Sequence, residues 1–149
     1  MSSPDTPPPL AVGTALPPTV VPVTRTLIVA GAIASRDYQD VHHDVELARE
    51  KGSPDIFMNI LTTNGLVGAY LSDRLGPRAV LRRLAIRLGT PNHPGDTMTL
   101  TGTVTALTEP DPADPNAERT VEIRVLGTNA AGPHVTGTAT LTLPQEPTP

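Results

Sequence analysis

The sequence predicts an α+β domain in which one long buried helix is wrapped by a curved antiparallel sheet. Three observations carry this prediction. Residues 56–76, IFMNILTTNGLVGAYLSDRLG, are apolar nearly all round, the pattern of a helix buried on most faces. The chain beyond them alternates apolar and polar side chains, the period of half-buried strands. At 149 residues, 38% hydrophobic and 17% charged, the chain has the size and balance of a single domain with a real core.

The 18 prolines are high for this length, and seven fall between Pro4 and Pro22 with three more between Pro144 and Pro149. They predict Pro-rich flexible tails at 1–16 and 144–149 around a folded domain at 17–143.

Residues 16–22, Leu-Pro-Pro-Thr-Val-Val-Pro, fit only an edge or irregular strand, because each proline removes a ladder donor. Thr24 offers an N-cap, and Leu27, Ile28, Ala30, Ile33 and Ala34 form an apolar stripe that favours a helix ending by Ser35, although the run Leu-Ile-Val also suits a strand. Residues 35–44, SRDYQDVHHD, follow neither period and read as an ordered loop rich in ionisable groups. Asp44 caps a short helix at 45–51, ended by Gly52, and Ser53-Pro54-Asp55 turns the chain into the long helix. Gly65 and Gly68 let sheet backbone approach that helix, and Gly76-Pro77 stops it. Strands are expected at 81–88, 96–107, 121–125 and 135–143, as an antiparallel meander. Between them lie the tight turn at 91–96 and the Pro/Asp-rich loop at 109–118. One helix wrapped by such a sheet is the hot-dog arrangement.

Composition narrows the function. A net charge of −4 gives no overall attraction to nucleic acid or to an anionic membrane. Tyr38, Phe57 and Tyr70 are the only aromatics, too few for base-stacking platforms. Without cysteine there is neither a disulfide framework nor a thiolate metal site, which suits a reducing compartment. No run reaches membrane-span length, and the N-terminus, with Asp5 among prolines, lacks the basic and apolar segments of a signal peptide. A soluble, cytoplasmic protein is the expectation.

The chemistry-bearing candidates lie in the 35–44 loop. Asp37 and His42 are five residues apart, which on an α-helix would turn them about 140° from each other. They converge only if the segment is a loop. A carboxylate beside an imidazole can bind water, polarise it and move a proton near neutral pH. On composition alone, a solvated acidic loop with histidines is the better description.

Taken in order, Ser35-Arg-Asp37-Tyr-Gln-Asp-Val-His42-His-Asp44, the short helix, Gly52-Ser-Pro-Asp-Ile56 opening the long helix, and Pro91-Asn-His-Pro-Gly-Asp96 before a strand resemble the MaoC-like enoyl-thioester hydratases. The likeness runs from about Pro17 to Val104. The stretches DYQDVHHD and KGSPDIFMNILT resemble in particular the small MaoC-like subunit of the heteromeric enoyl-CoA hydratases that actinobacteria use on steroid side chains.

The resemblance implies a hydro-lyase that adds or removes water across the 2,3 bond of an acyl thioester, with Asp37 and His42 as the catalytic pair and Asp44 matching an acidic position after them. Gln39 and Asp40 depart from the family's Asn and Pro, and Asn59 stands in the place of a glycine at the start of the central helix. Its side chain would narrow the site. Free N–H groups near Asn59 and Ile60, at a helix N-terminus, would stabilise charge on the thioester oxygen. No metal or redox cofactor is implied; CoA or phosphopantetheine arrives as part of the substrate. A larger MaoC-like partner or a homodimer is implied, to complete the acyl pocket.

Of the remaining candidates, Gln39 and Tyr38 flank Asp37, Tyr38 reading either as core or as a hydroxyl that shapes the pocket. His43 is one residue off the motif. His93 and His134 read as plain loop residues, and four scattered histidines lack metal-ligand spacing. Arg82, Arg83 and Arg87 are either a solvated strand face or contacts for a CoA phosphate. Three alternatives stay open: a hot-dog thioesterase, a dehydratase of polyketide-like intermediates, and a non-catalytic subunit of a heteromeric hydratase.

Overall fold

A computed structural model describes residues 9–114 and 116–144. Most of the two expected tails, 1–8 and 145–149, lies outside the described residues. The domain begins before the expected boundary at Pro17. The first strand, β1, is Ala15–Pro22, Leu16 is a core residue, and Gly13 N–H donates to Val104 O over 2.8 Å.

Three α-helices follow: α1 (Arg25–Ala34), α2 (Val45–Glu50) and α3 (Ile60–Leu75), with a 3₁₀ turn at Asp40–His42 between the first two. Two expected caps form. The Thr24 side chain accepts from Leu27 N–H, and Asp44 accepts from Leu47 N–H, each satisfying an otherwise orphaned donor. The long helix starts four residues later than its apolar pattern predicts. In the preceding stretch Ile56 and Met58 are buried on backbone that is neither helix nor strand, Phe57 N–H donates to Val41 O and Met58 N–H to Asn92 O.

The remaining strands are β2 (Val80–Leu88), β3 (Thr97–Thr108), β4 (Arg119–Asn129) and β5 (Gly132–Leu143). They form one antiparallel sheet in the order β1-β3-β4-β5-β2. The expected four-strand meander therefore holds only for β3, β4 and β5. β2 pairs with β5, not with its sequence neighbour β3, and becomes an edge. The prolines of β1 occupy the opposite edge, with a bulge between Leu16 and Thr19.

Alternation on β4 sends Val121, Ile123, Val125 and Gly127 inward against Leu100, Leu141 and Val67. Full burial of aliphatic side chains such as Ile123 and Leu141 contributes roughly 1.5–3 kcal/mol each. α3 lays Val67, Tyr70 and Leu71 on this core, but Ile60 and Leu61 are half exposed, so the helix is not apolar-buried on every side. α1 crosses α3 at Gly31, where a Cβ would overlap the Thr62 hydroxyl and lie 2.8 Å from its methyl. Among the described residues no helix is long and apolar enough to cross a membrane.

Candidate active site

The last turn of α1 aims Asp37. Arg36 N–H bonds to Ile33 O and Asp37 N–H to Ala32 O, the double bond pattern of a Schellman motif, with Arg36 itself at φ 56°. A side chain in that left-handed position is strained by roughly 1–2 kcal/mol. Its effect is to reverse the chain sharply, so that Asp37 turns back toward the start of α3.

His42 comes from the 3₁₀ turn, which Lys51 Nζ braces by bonding Asp40 Oδ2 at 2.7 Å. His42 is buried, and its Nδ1 lies 2.6 Å from Phe57 O. A carbonyl only accepts, so Nδ1 carries the proton and, in the neutral ring, Nε2 presents its lone pair. That Nε2 lies 3.3 Å from Asp37 Oδ2. The Phe57 ring packs edge-on against His42, with centroids 5.0 Å apart, and fixes the imidazole plane.

Asp37 is held from two further sides. Asn59 Nδ2 donates to its Oδ2 at 3.0 Å and the Gln39 N–H approaches its Oδ1 at 3.4 Å. The Asn59 bond is the main reason the Asp37 carboxyl titrates below its ordinary range; partial burial opposes it, and the Gln39 N–H and His42 add to it. At neutral pH Asp37 is a carboxylate.

These groups line a cleft of about 290 Å³ shared by Asp37, Gln39, His42, Phe57, Met58, Asn59, Ile60, Leu88, Gly89, Pro91 and His134. The structure thus gathers Asp37, His42, Gln39, Asn59 and Ile60. It does not gather the others. Tyr38 is two-thirds exposed, neither core nor cleft. His43 is exposed and faces Tyr38 O at 3.2 Å. Arg82 is held by Glu118 and the Thr142 hydroxyl, and neither it nor Arg83 nor Arg87 lines the cleft. Asp44 serves as the cap of α2.

His134 was not legible as a cleft residue, since Gly132-Pro133 beside it reads as a loop. It sits in β5, fully buried. Nδ1 donates to Thr90 O at 2.7 Å, which leaves Nε2 to accept from the Thr63 hydroxyl at 2.8 Å. Burial lowers its pKa from the usual 6.5, so the folded protein holds it neutral. The unfolded chain binds a proton there as pH falls through about 6.5 and the folded chain only at lower pH, so stability is lost on that descent. Tm should fall between pH 7 and pH 5. The His134→Gln variant, which can keep both hydrogen bonds, should be flat in this window, because Asp37, Asp40 and Asp55 titrate below 3.8 and act only in stronger acid. A wild-type Tm that does not change over this range would contradict the assignment.

No protein-family profile matches the chain. It is 42% identical over 132 residues, 89% of its own length and 95% of the relative's, to the 3-oxo-4,17-pregnadiene-20-carboxyl-CoA hydratase beta subunit of Mycobacterium tuberculosis. It superposes on a chain of the ChsH1–ChsH2 complex from the same organism with a TM-score of 0.81 and 41% identity, covering 89% of this chain and 98% of that one. The MaoC-like dehydratase from Rhodospirillum rubrum shares the fold at a TM-score of 0.78 and 24% identity, covering 93% and 96%. The hot-dog fold and this degree of identity place the chain in the MaoC-like hydratase family, in the branch of the steroid-CoA hydratase beta subunit.

Proposed function

We propose that the chain is the small subunit of a hydro-lyase that hydrates the 2,3 double bond of a 2-enoyl-CoA with a bulky, steroid-type acyl group, working with a larger MaoC-like chain. One observation carries this reading. In a chain 42% identical to a steroid-CoA hydratase subunit, two hydrogen-bond acceptors, Asp37 Oδ2 and His42 Nε2, face each other 3.3 Å apart in a cleft at the start of α3. Asn59 already donates to Asp37 Oδ2, but the Nε2 lone pair of His42 also needs a donor, and a water beside the pair, with two protons, can serve both.

In the proposed reaction, His42 Nε2 takes a proton from this water as its oxygen bonds to the β-carbon of the enoyl thioester. Asp37 stabilises the imidazolium. Electron density moves from the double bond to the thioester oxygen, where N–H groups at the start of α3, near Asn59 and Ile60, would stabilise it. The proton held by Nε2 then passes to the α-carbon, which leaves one water added and His42 as it began. Dehydration is the reverse. CoA belongs to the substrate and the chemistry uses no further cofactor. The cysteine-free composition fits a cytoplasmic setting.

The test follows enoyl-CoA absorbance with the purified chain, alone and co-expressed with a larger MaoC-like chain. Hydration by the pair, unchanged by a metal chelator, is expected. Absence of hydration with either preparation, on short-chain and steroid-type enoyl-CoA alike, would overturn the reading.

A further inference from the structure

We infer that Asn59 is a positioning residue, tying the carboxylate of Asp37 to the start of α3 and fixing which of its lone pairs faces the cleft. The inference rests on the role proposed for Asp37 above.

Asn59 is buried, and its side chain has one possible orientation. Oδ1 accepts from Thr62 N–H at 2.9 Å, which caps α3, so Nδ2 must point the other way. There it meets Ser35 Oγ at 2.9 Å and Asp37 Oδ2 at 3.0 Å. Ser35 spends its own hydroxyl proton on Gly31 O at 2.7 Å and can only accept from Asn59. Both Nδ2 protons are therefore assigned, one to the end of α1 and one to Asp37.

A cap alone would not require an amide, since serine or aspartate caps as well as asparagine does. The amide adds a donor, and Asp37 needs one. Neutral His42 turns a lone pair toward the same Oδ2, and the Asn59 amide is the side-chain N–H that opposes it there among the described residues. The other groups around Asp37 do not take over this work. Arg36 is exposed on the preceding turn, Asp40 is paired with Lys51, and His134, across the cleft, is neutral and already committed to Thr90 and Thr63. The lowered titration of Asp37, caused chiefly by Asn59, agrees with this geometry.

The variants Asn59→Ser and Asn59→Asp separate the two duties. Both keep the cap. Serine is too short to reach Asp37, and aspartate sets an oxygen against Oδ2. With the partner chain present, each should fold as judged by circular dichroism, lose about tenfold in kcat at neutral pH, and shift the acid limb of kcat/KM to higher pH. Carbon-13 NMR of the aspartate carboxyls, assigned with Asp37→Asn, should show Asp37 titrating at higher pH in Asn59→Ser than in the wild type. That readout needs no activity. If it moves while Asp37→Asn remains fully active, the hydration reading fails and the positioning contact stands. If the serine variant folds and leaves both the Asp37 titration and the acid limb unchanged, Asn59 is only a cap and the inference is wrong.

Discussion

His42→Ala is expected to lower turnover roughly 10²–10⁴-fold, the range that a positioned general acid–base group supplies. His42 is buried and its ring is fixed on two sides, by Phe57 O at Nδ1 and by the edge-on Phe57 ring. Its removal deletes the imidazole nitrogen that faces Asp37. Asp37→Asn should have a comparable effect for a different reason. It keeps the shape, but Asn59 Nδ2 would then confront either an amide oxygen or an amide nitrogen, and the charge that supports a protonated His42 is gone. His43→Ala should leave turnover near wild type, because His43 is exposed and points to Tyr38 O, outside the cleft. Enoyl-CoA absorbance, followed with each variant plus its partner chain after circular dichroism confirms the fold, decides the matter. Inactivity confined to His43→Ala would mean the working histidine has been misassigned by one residue. Full activity in all three would leave the chain as a non-catalytic subunit.

What could be read from the sequence was local. Thr24 and Asp44 cap helices because a side-chain oxygen before an apolar stripe satisfies its N–H groups wherever the helix packs. That Asp37 and His42 could meet was readable from spacing, since five residues diverge on a helix and can converge in a loop, but only the family resemblance implied that they form a pair. The features that escaped depend on tertiary partners. Residues 56–59 continue the apolar pattern of α3, yet Ile56 and Met58 bury their side chains while Phe57 and Met58 donate to Val41 and Asn92, and no periodicity shows a backbone bonded to distant loops. β2 pairs with β5 because the sheet closes around α3, a choice that alternation within β2 does not encode. Arg36 holds a position that usually selects glycine, so the turn that aims Asp37 carried no mark in the sequence. The side chain of Asn59 was expected only to narrow the site, and its two bonds to the end of α1 became visible once both helix ends were placed.

A second large effect is expected where α1 crosses α3, because the distance between these helices sets the reach from Asn59 to Asp37. Gly31 faces Thr62 so closely that an added Cβ would overlap the hydroxyl, and Thr62 is β-branched and buried, with little freedom to turn away. Gly31→Ala should therefore force the helices apart and destabilise the protein by about 1–3 kcal/mol, the usual result of overpacking, despite the better helix propensity of alanine. The same displacement pulls Ser35 and Asp37, at the end of α1, from the Asn59 amide at the start of α3, so activity should fall with stability. Thr62→Ala alone should cost little. The Thr62 hydroxyl is buried without a hydrogen-bond partner among the described residues, so its loss removes an unsatisfied group together with one methyl. In the double variant the alanine at 31 meets an alanine at 62, and both Tm and turnover should recover most of what Gly31→Ala loses. Denaturant unfolding of the four proteins measures the coupling directly. If the two substitutions add, the contact between Gly31 and Thr62 does not set the helix separation, and the geometry of Asp37 has to be maintained elsewhere.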